Sequence, residues 1–192
     1  MQKTTYKEDQ GDSFGTWTDP VSRFMYVEST ARIIERITVP KTVADYGGAN
    51  GLLKAFIPHA ISIDIDPSKS PDICDNILTH KGQYELVVVR YVLHYLTDRQ
   101  VIDLFANMAS NKVGQVLVIQ FVNNDLRSKY RCSQNEAKYF RTKQQTQALL
   151  PPCSEVYTAN YDVTPEFYAN RLGIHVEVGH CETLEAYLVH LQ

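Results

Sequence analysis

The stretch Val43-Ala44-Asp45-Tyr46-Gly47-Gly48-Ala49-Asn50-Gly51 constrains this chain more than any other. A short apolar run that ends in an acid and a cluster of glycines reads as a strand turning sharply into a helix. Glycine lets the backbone turn there and lie against a ligand with no Cβ in the way. Nineteen residues after Asp45, Asp64 ends the next apolar run, Ala60 to Ile65. A carboxylate at that point can accept both hydroxyls of a ribose resting on the glycine loop. Alone, the glycines would be a tight turn and Asp64 a surface aspartate. The strand context and the two acids together point to a nucleoside site.

The rest of the chain alternates in the same way. Asp19-Pro20 reads as an N-cap with proline at the first helical position, and Phe24, Val27, Ala31, Ile34 and Ile37 follow at helical spacing. That predicts a helix over 20–37, stopped by Pro40. Strands are expected at 42–46, 60–65, 85–89 and 115–122, with helices at 50–57 and 98–108. Strand and helix in alternation imply parallel strands with right-handed crossovers, an α/β class. Further on, the pattern predicts a helix over 134–150, a strand over 154–161, a short helix over 164–172 and strands at 174–178 and 184–191. The last two form an expected hairpin turning through 179–183, hence an antiparallel edge.

Composition narrows the function classes. With 192 residues, 44% hydrophobic and 21% charged, the chain suits one packed domain and not a disordered one. Nineteen Lys+Arg against 22 Asp+Glu leave a net charge of −3, so no global field draws in a polyanion. No apolar run approaches membrane-spanning length, and the polar start has no signal-peptide core. The four cysteines, Cys74, Cys132, Cys153 and Cys181, are scattered without metal-ligand spacing. The expectation is a soluble, cytoplasmic protein with reduced thiols, no metal site and no membrane partner; a homodimer stays open.

The loop also discriminates between cofactors. A dinucleotide site brings helix amides onto a pyrophosphate, and Asp45, two residues ahead of Gly47, would repel one. It would pair instead with a cationic amine, which tips the choice from NAD toward S-adenosylmethionine. On these residues the chain resembles the class I S-adenosylmethionine-dependent methyltransferases over roughly 43–122. Asp45, Gly47 and Gly51 match that superfamily's first motif, with Gly48 beside them and Ala49 in place of the middle glycine. Asp64 in Ile63-Asp64-Ile65-Asp66 matches the ribose acid, with Asp66 as the alternative. Asp75 in Cys74-Asp75-Asn76 matches the acid that bonds the adenine amine. Glu85-Leu86-Val87-Val88-Val89-Arg90-Tyr91-Val92-Leu93-His94 resembles the fourth motif, with Glu85 for the usual aspartate. The resemblance implies a three-layer Rossmann-like sheet, mostly parallel with an antiparallel C-terminal hairpin strand and helices on both faces. It also implies S-adenosylmethionine as cofactor, held by Asp45, Gly47, Gly48, Gly51, Asp64, Ile65, Asp75, Asn76 and Arg90. Residues 1–42 would then be a lid, 43–122 the cofactor core and 123–192 the substrate side of a single domain.

One departure is structural. Only six residues, 66–71, two of them proline, separate Ile65 from Asp72. The helix usual between the second and third strands cannot fit.

Methyl transfer from a sulfonium is an in-line displacement that needs alignment, and a base only if the acceptor carries a proton. The catalytic candidates are His94, just past the fourth strand, and Arg90. The plainer reading of His94 is a packing residue of a Val-Leu-His pattern. Arg90 ends a buried apolar strand, so it must meet an anionic ligand or pair with Glu28, Glu35 or another acid. Trp17, Arg23, Tyr26, Tyr130 and Tyr161 are candidates for the substrate pocket, against a plain packing role. Lys129, Arg131, Lys138, Arg141 and Lys143 make the one basic cluster, a solvated helix face or an anion site. The leading reading is a methyltransferase for a small molecule at O or N. The alternatives are an RNA methyltransferase using 129–143 and a non-catalytic, cofactor-binding partner module.

Overall fold

The apolar runs that flank the glycine loop become adjacent parallel strands. A computed structural model of the chain describes residues 20–122, 139, 141–163 and 180–191, with side chains over 27–120, 139, 141–158 and 185–191. Its strands are β1 (Val43–Tyr46), β2 (Ala60–Asp64), β3 (Ile73–Cys74), β4 (Leu86–Arg90), β5 (Gln115–Val122), β6 (Cys153–Val163) and β7 (His180–His190). They form one seven-stranded sheet in the order β3-β2-β1-β4-β5-β7-β6. β1 to β5 run parallel, while β7 is antiparallel to both β5 and β6. The order reverses between β1 and β4, the switch point where open α/β sheets bind ligands.

The central strand β4 is apolar from Leu86 to Val89 because both faces of the sheet are covered. Val87 and Val89 face α2 (Asp98–Ser110), packing with Leu104, Phe105 and Met108. Leu86 and Val88 face α1 (Pro20–Ile37), packing with Val27, Ala31 and Ile34. Thr97 and Gln100 close a reciprocal capping box at the start of α2.

The structure corrects three expectations. The segment expected as a helix over 50–57 is only a 3-10 turn, Leu52–Ala55, because Gly51 enters it in the left-handed conformation at φ 71. The helix expected over 134–150 reduces, among the described residues, to α3 (Lys143–Leu149), capped by Thr142. Tyr139, Arg141 and Thr142 are not helical. The hairpin turn expected over 179–183 is replaced by strand, since β7 runs through 180–183, antiparallel to β6 on one side and to β5 on the other. The expected helix over 164–172 and strand over 174–178 lie outside the described residues.

The short crossover is fastened by side chains. Asp72 Oδ2 accepts from the Ser62 backbone N–H at 2.8 Å and its hydroxyl at 2.9 Å, and Lys54 pairs with Asp72 Oδ1. Asp66 caps the 3-10 turn Pro67–Lys69, accepting from the amide and hydroxyl of Ser68. These bonds dock the two-residue β3 on β2 without a helix.

Candidate functional site

Asp45 and Arg90 meet at the switch point. Parallel register sets Asp45 beside Val88, and Arg90, two residues on, points to the same face. Arg90 Nη2 donates to Asp45 Oδ2 at 3.2 Å; the side chains are 11% and 2% exposed. The pairing answers the question of which acid meets Arg90: it is Asp45, not Glu28 or Glu35. Burial pushes the Asp45 carboxyl above its usual range, the Arg90 guanidinium draws it down, and the nearby Asp64 charge pushes it up again. The pair is incompletely satisfied. Asp45 Oδ1 and Arg90 Nη1 are both buried without a hydrogen-bond partner. A buried acceptor on an acid and a buried donor on a base, side by side, match an α-ammonium and an α-carboxylate.

The glycine loop wraps this pair. Gly47 and Gly51 take φ 72 and 71. A Cβ on Gly47 would lie 2.4 Å from Val92, and one on Gly48 would lie 2.7 Å from the Asp45 carboxyl carbon. Ala49 stands at φ 48, a left-handed conformation that glycine adopts more readily. Its amide donates to Asp64 Oδ2 at 3.0 Å, while Asp64 Oδ1 accepts from the Asp66 amide at 2.9 Å. Asp64 thus ends β2 as expected, and burial raises its pKa against those two bonds. Asp66 is spent on its own turn. Ile65, beside Asp64, is an exposed apolar side chain.

On the sheet edge, Asp75 follows β3. Asp75 Oδ1 accepts from the Asn76 amide at 2.7 Å, and Asn76 Oδ1 accepts from the Leu78 amide.

Past β4 the chain turns through Tyr91, at φ 56, into a 3-10 turn carrying His94. Gln120 Nε2 lies 3.0 Å from His94 Nδ1, and the imidazole leans on Tyr95 at 4.1 Å between centroids. Burial pulls His94 down to about 4, helped by the Arg141 charge and opposed by the Gln120 bond, so it is neutral at physiological pH.

Arg141 and Lys143 of the basic cluster are engaged in ion pairs. The Arg141 guanidinium donates to Asp98 Oδ1, to the Leu93 and Leu96 carbonyls at 2.7 Å each, and to the Tyr139 carbonyl. Lys143 pairs with Glu155 and with the buried Glu185 at 2.5 and 2.8 Å. Trp17 and Tyr130 lie outside the described residues, as do Lys129, Arg131 and Lys138. Arg23 and Tyr26 fall in α1 and Tyr161 in β6, at positions whose side chains are not described.

Reasoning from sequence missed Asp72, which docks β3, and the Arg141 clamp. It also missed His80, which joins Asp75 to Tyr84. A polar loop between two strands was the only signal for His80.

No family model matches the chain, and no curated protein matches its sequence. In structure the chain is similar to the N-methyltransferase NodS from Bradyrhizobium japonicum WM9 in complex with S-adenosyl-L-homocysteine. The match has 14% identity, a TM-score of 0.65, and covers 98% of this chain and 97% of that one. It is similar as well to magnesium protoporphyrin IX methyltransferase from Synechocystis PCC 6803 with bound S-adenosylmethionine, at 13% identity and a TM-score of 0.58, over 88% and 80% of the two chains. The small RNA methyltransferase HEN1 matches at 15% identity and a TM-score of 0.56, over 88% of this chain and 25% of that one. The fold is that of the class I S-adenosylmethionine-dependent methyltransferases.

Proposed function

We propose that the chain is an S-adenosylmethionine-dependent methyltransferase acting on a small-molecule acceptor at oxygen or nitrogen. The observation that carries the reading is the Asp45–Arg90 pair, with its unsatisfied Oδ1 and Nη1 at the switch point. Asp45 takes the cofactor's ammonium group and Arg90 its carboxylate. Asp64 accepts the ribose hydroxyls, and Ile65 offers an apolar face to the adenine ring. Asp75, with Asn76 beside it, accepts the adenine amine. Gly47, Gly48 and Gly51 let the backbone approach. The bound cofactor supplies an electrophilic methyl group, so the chain needs no covalent nucleophile.

Acceptor alignment is the remaining task, assigned to residues 1–42 and 123–192 around the 43–122 core, with Trp17, Arg23, Tyr26, Tyr130 and Tyr161 as pocket candidates. Burial leaves His94 a weaker base than a solvated imidazole, so the reaction leans on alignment more than on proton abstraction. An RNA acceptor is the second reading, favoured by the shared fold of HEN1. Against it, Arg141 and Lys143 already serve as internal ion-pair partners.

Calorimetry with S-adenosylhomocysteine tests the reading. Binding is expected in the unsubstituted protein and lost in Asp64→Ala; no heat with the unsubstituted protein would overturn it. Steep salt dependence of RNA binding would favour the second acceptor class.

A further inference from the structure

Asp75 sits at the least supported point of the sheet, one residue past a two-residue edge strand. Its side chain is 43% exposed, and an unrestrained carboxylate there would rotate in solvent. Both of its oxygens are nonetheless held. The Asn76 amide reaches Oδ1 at 2.7 Å and His80 Nδ1 reaches Oδ2 at 2.8 Å. His80 is only 5% exposed. Its Nε2 lies 3.1 Å from the Tyr84 hydroxyl, its ring stacks on Tyr84 at 18°, and Tyr46 meets it edge-on. Asn107 and Asn111, on and just after α2, donate to the His80 carbonyl at 2.9 and 3.2 Å. The His80 bond holds the Asp75 carboxyl below its ordinary range, so it is ionised and can only accept. His80 Nδ1 therefore donates to the carboxylate, and the contact of Nε2 with the Tyr84 hydroxyl fixes the ring's other end. Each Asp75 oxygen keeps one lone-pair direction for a ligand.

We infer that His80 is a positioning residue that, braced by Tyr84 and α2, orients the Asp75 carboxylate to select an exocyclic amine on the purine over a keto group. The inference rests on the methyltransferase reading, which brings adenine to Asp75. Selectivity belongs to the carboxylate's direction: it accepts from the amine of adenine and repels the keto oxygen of hypoxanthine.

The test is calorimetry with S-adenosylhomocysteine and S-inosylhomocysteine on the unsubstituted protein and on His80→Leu, His80→Asn and Tyr84→Phe. The unsubstituted protein should prefer the adenosine form. His80→Leu should weaken that ligand about tenfold and the inosine form by less than about twofold, so selectivity collapses. His80→Asn, whose amide donates from the Nδ1 position, should recover most of it. A purely structural role for His80 would weaken both ligands alike, and unchanged selectivity in His80→Leu would overturn the inference. If His80→Leu loses its near-UV circular dichroism, Tyr84→Phe carries the test, with about a threefold loss of selectivity expected and no loss overturning it. Failure of the unsubstituted protein to bind either ligand would overturn the methyltransferase reading itself. Equal binding of both would leave that reading intact and remove this one.

Discussion

Arg90 Nη2 donates to Asp45 Oδ2 across 3.2 Å, tying the last residue of β4 to the third of β1. Removing one member of a buried pair leaves the other uncompensated. Arg90→Met should lower unfolding stability by about 3 kcal/mol at neutral pH. The deficit should shrink on acidification. With its folded pKa raised by burial, Asp45 takes up a proton before the unfolded chain does, so stability falls as pH rises through that window. Urea unfolding at several pH values checks the sign. The same variant should weaken S-adenosylhomocysteine about a hundredfold, read by calorimetry.

Neighbouring loop positions should respond in opposite directions. Gly48→Ala places a Cβ 2.8 Å from Asp45 Oδ2 and should cost about 1–3 kcal/mol while dislodging that carboxylate. Ala49→Gly relieves a left-handed alanine at φ 48, a gain of about 1–2 kcal/mol, against about 0.4–1 kcal/mol of added unfolded-state entropy. A net stabilisation of about 0.5 kcal/mol is expected. Thermal unfolding of the two variants measures the split, and a destabilised Ala49→Gly would contradict it.

The loop and its acids were readable in advance because each rests on local order. A strand buried on both faces must be apolar, a sharp turn needs glycine, and Asp64 ends its own strand. Arg90's partner was not readable. Asp45 lies 45 residues away in sequence, and only the β1–β4 register brings the two together. The C-terminal hairpin was misplaced for a similar reason. Gly179 resembles a turn, but β7 already begins at His180, and its pairing with β6 joins Val163 to His180 and Cys153 to Val189, contacts between residues far apart in the chain. The start of α3 was misjudged because Arg141 is claimed by carbonyls 93 and 96, over 40 residues upstream, and not by a helix of its own.

Arg141 itself supplies a stability test. Its planar fork serves the Leu93, Leu96 and Tyr139 carbonyls and the Asp98 carboxylate at once, which a single ammonium cannot reproduce. Arg141→Lys should cost about 2 kcal/mol by leaving buried carbonyls unpaired, with affinity for S-adenosylhomocysteine unchanged. A salt-sensitive loss of RNA binding without a loss of stability would instead mark Arg141 as a surface cation.

His94 should dominate the acid limb of the stability profile. Burial holds its folded pKa at about 4, below the unfolded imidazole value of 6.5. Between those values the unfolded chain binds a proton that the folded chain refuses, so stability is full above the upper one and falls as pH drops toward the lower. One proton corresponds to a slope of about 1.4 kcal/mol per pH unit at most. The main cause is burial, which disfavours the charged ring; the Arg141 cation adds to it, and the Gln120 contact, 3.0 Å from Nδ1, works against it. His94→Gln removes the titrating group, and its unfolding free energy should lose most of that slope between pH 6 and 4.5. If the slope survives the substitution, the acid sensitivity belongs to the carboxylates, and His94 does not carry the buried neutral imidazole assigned to it.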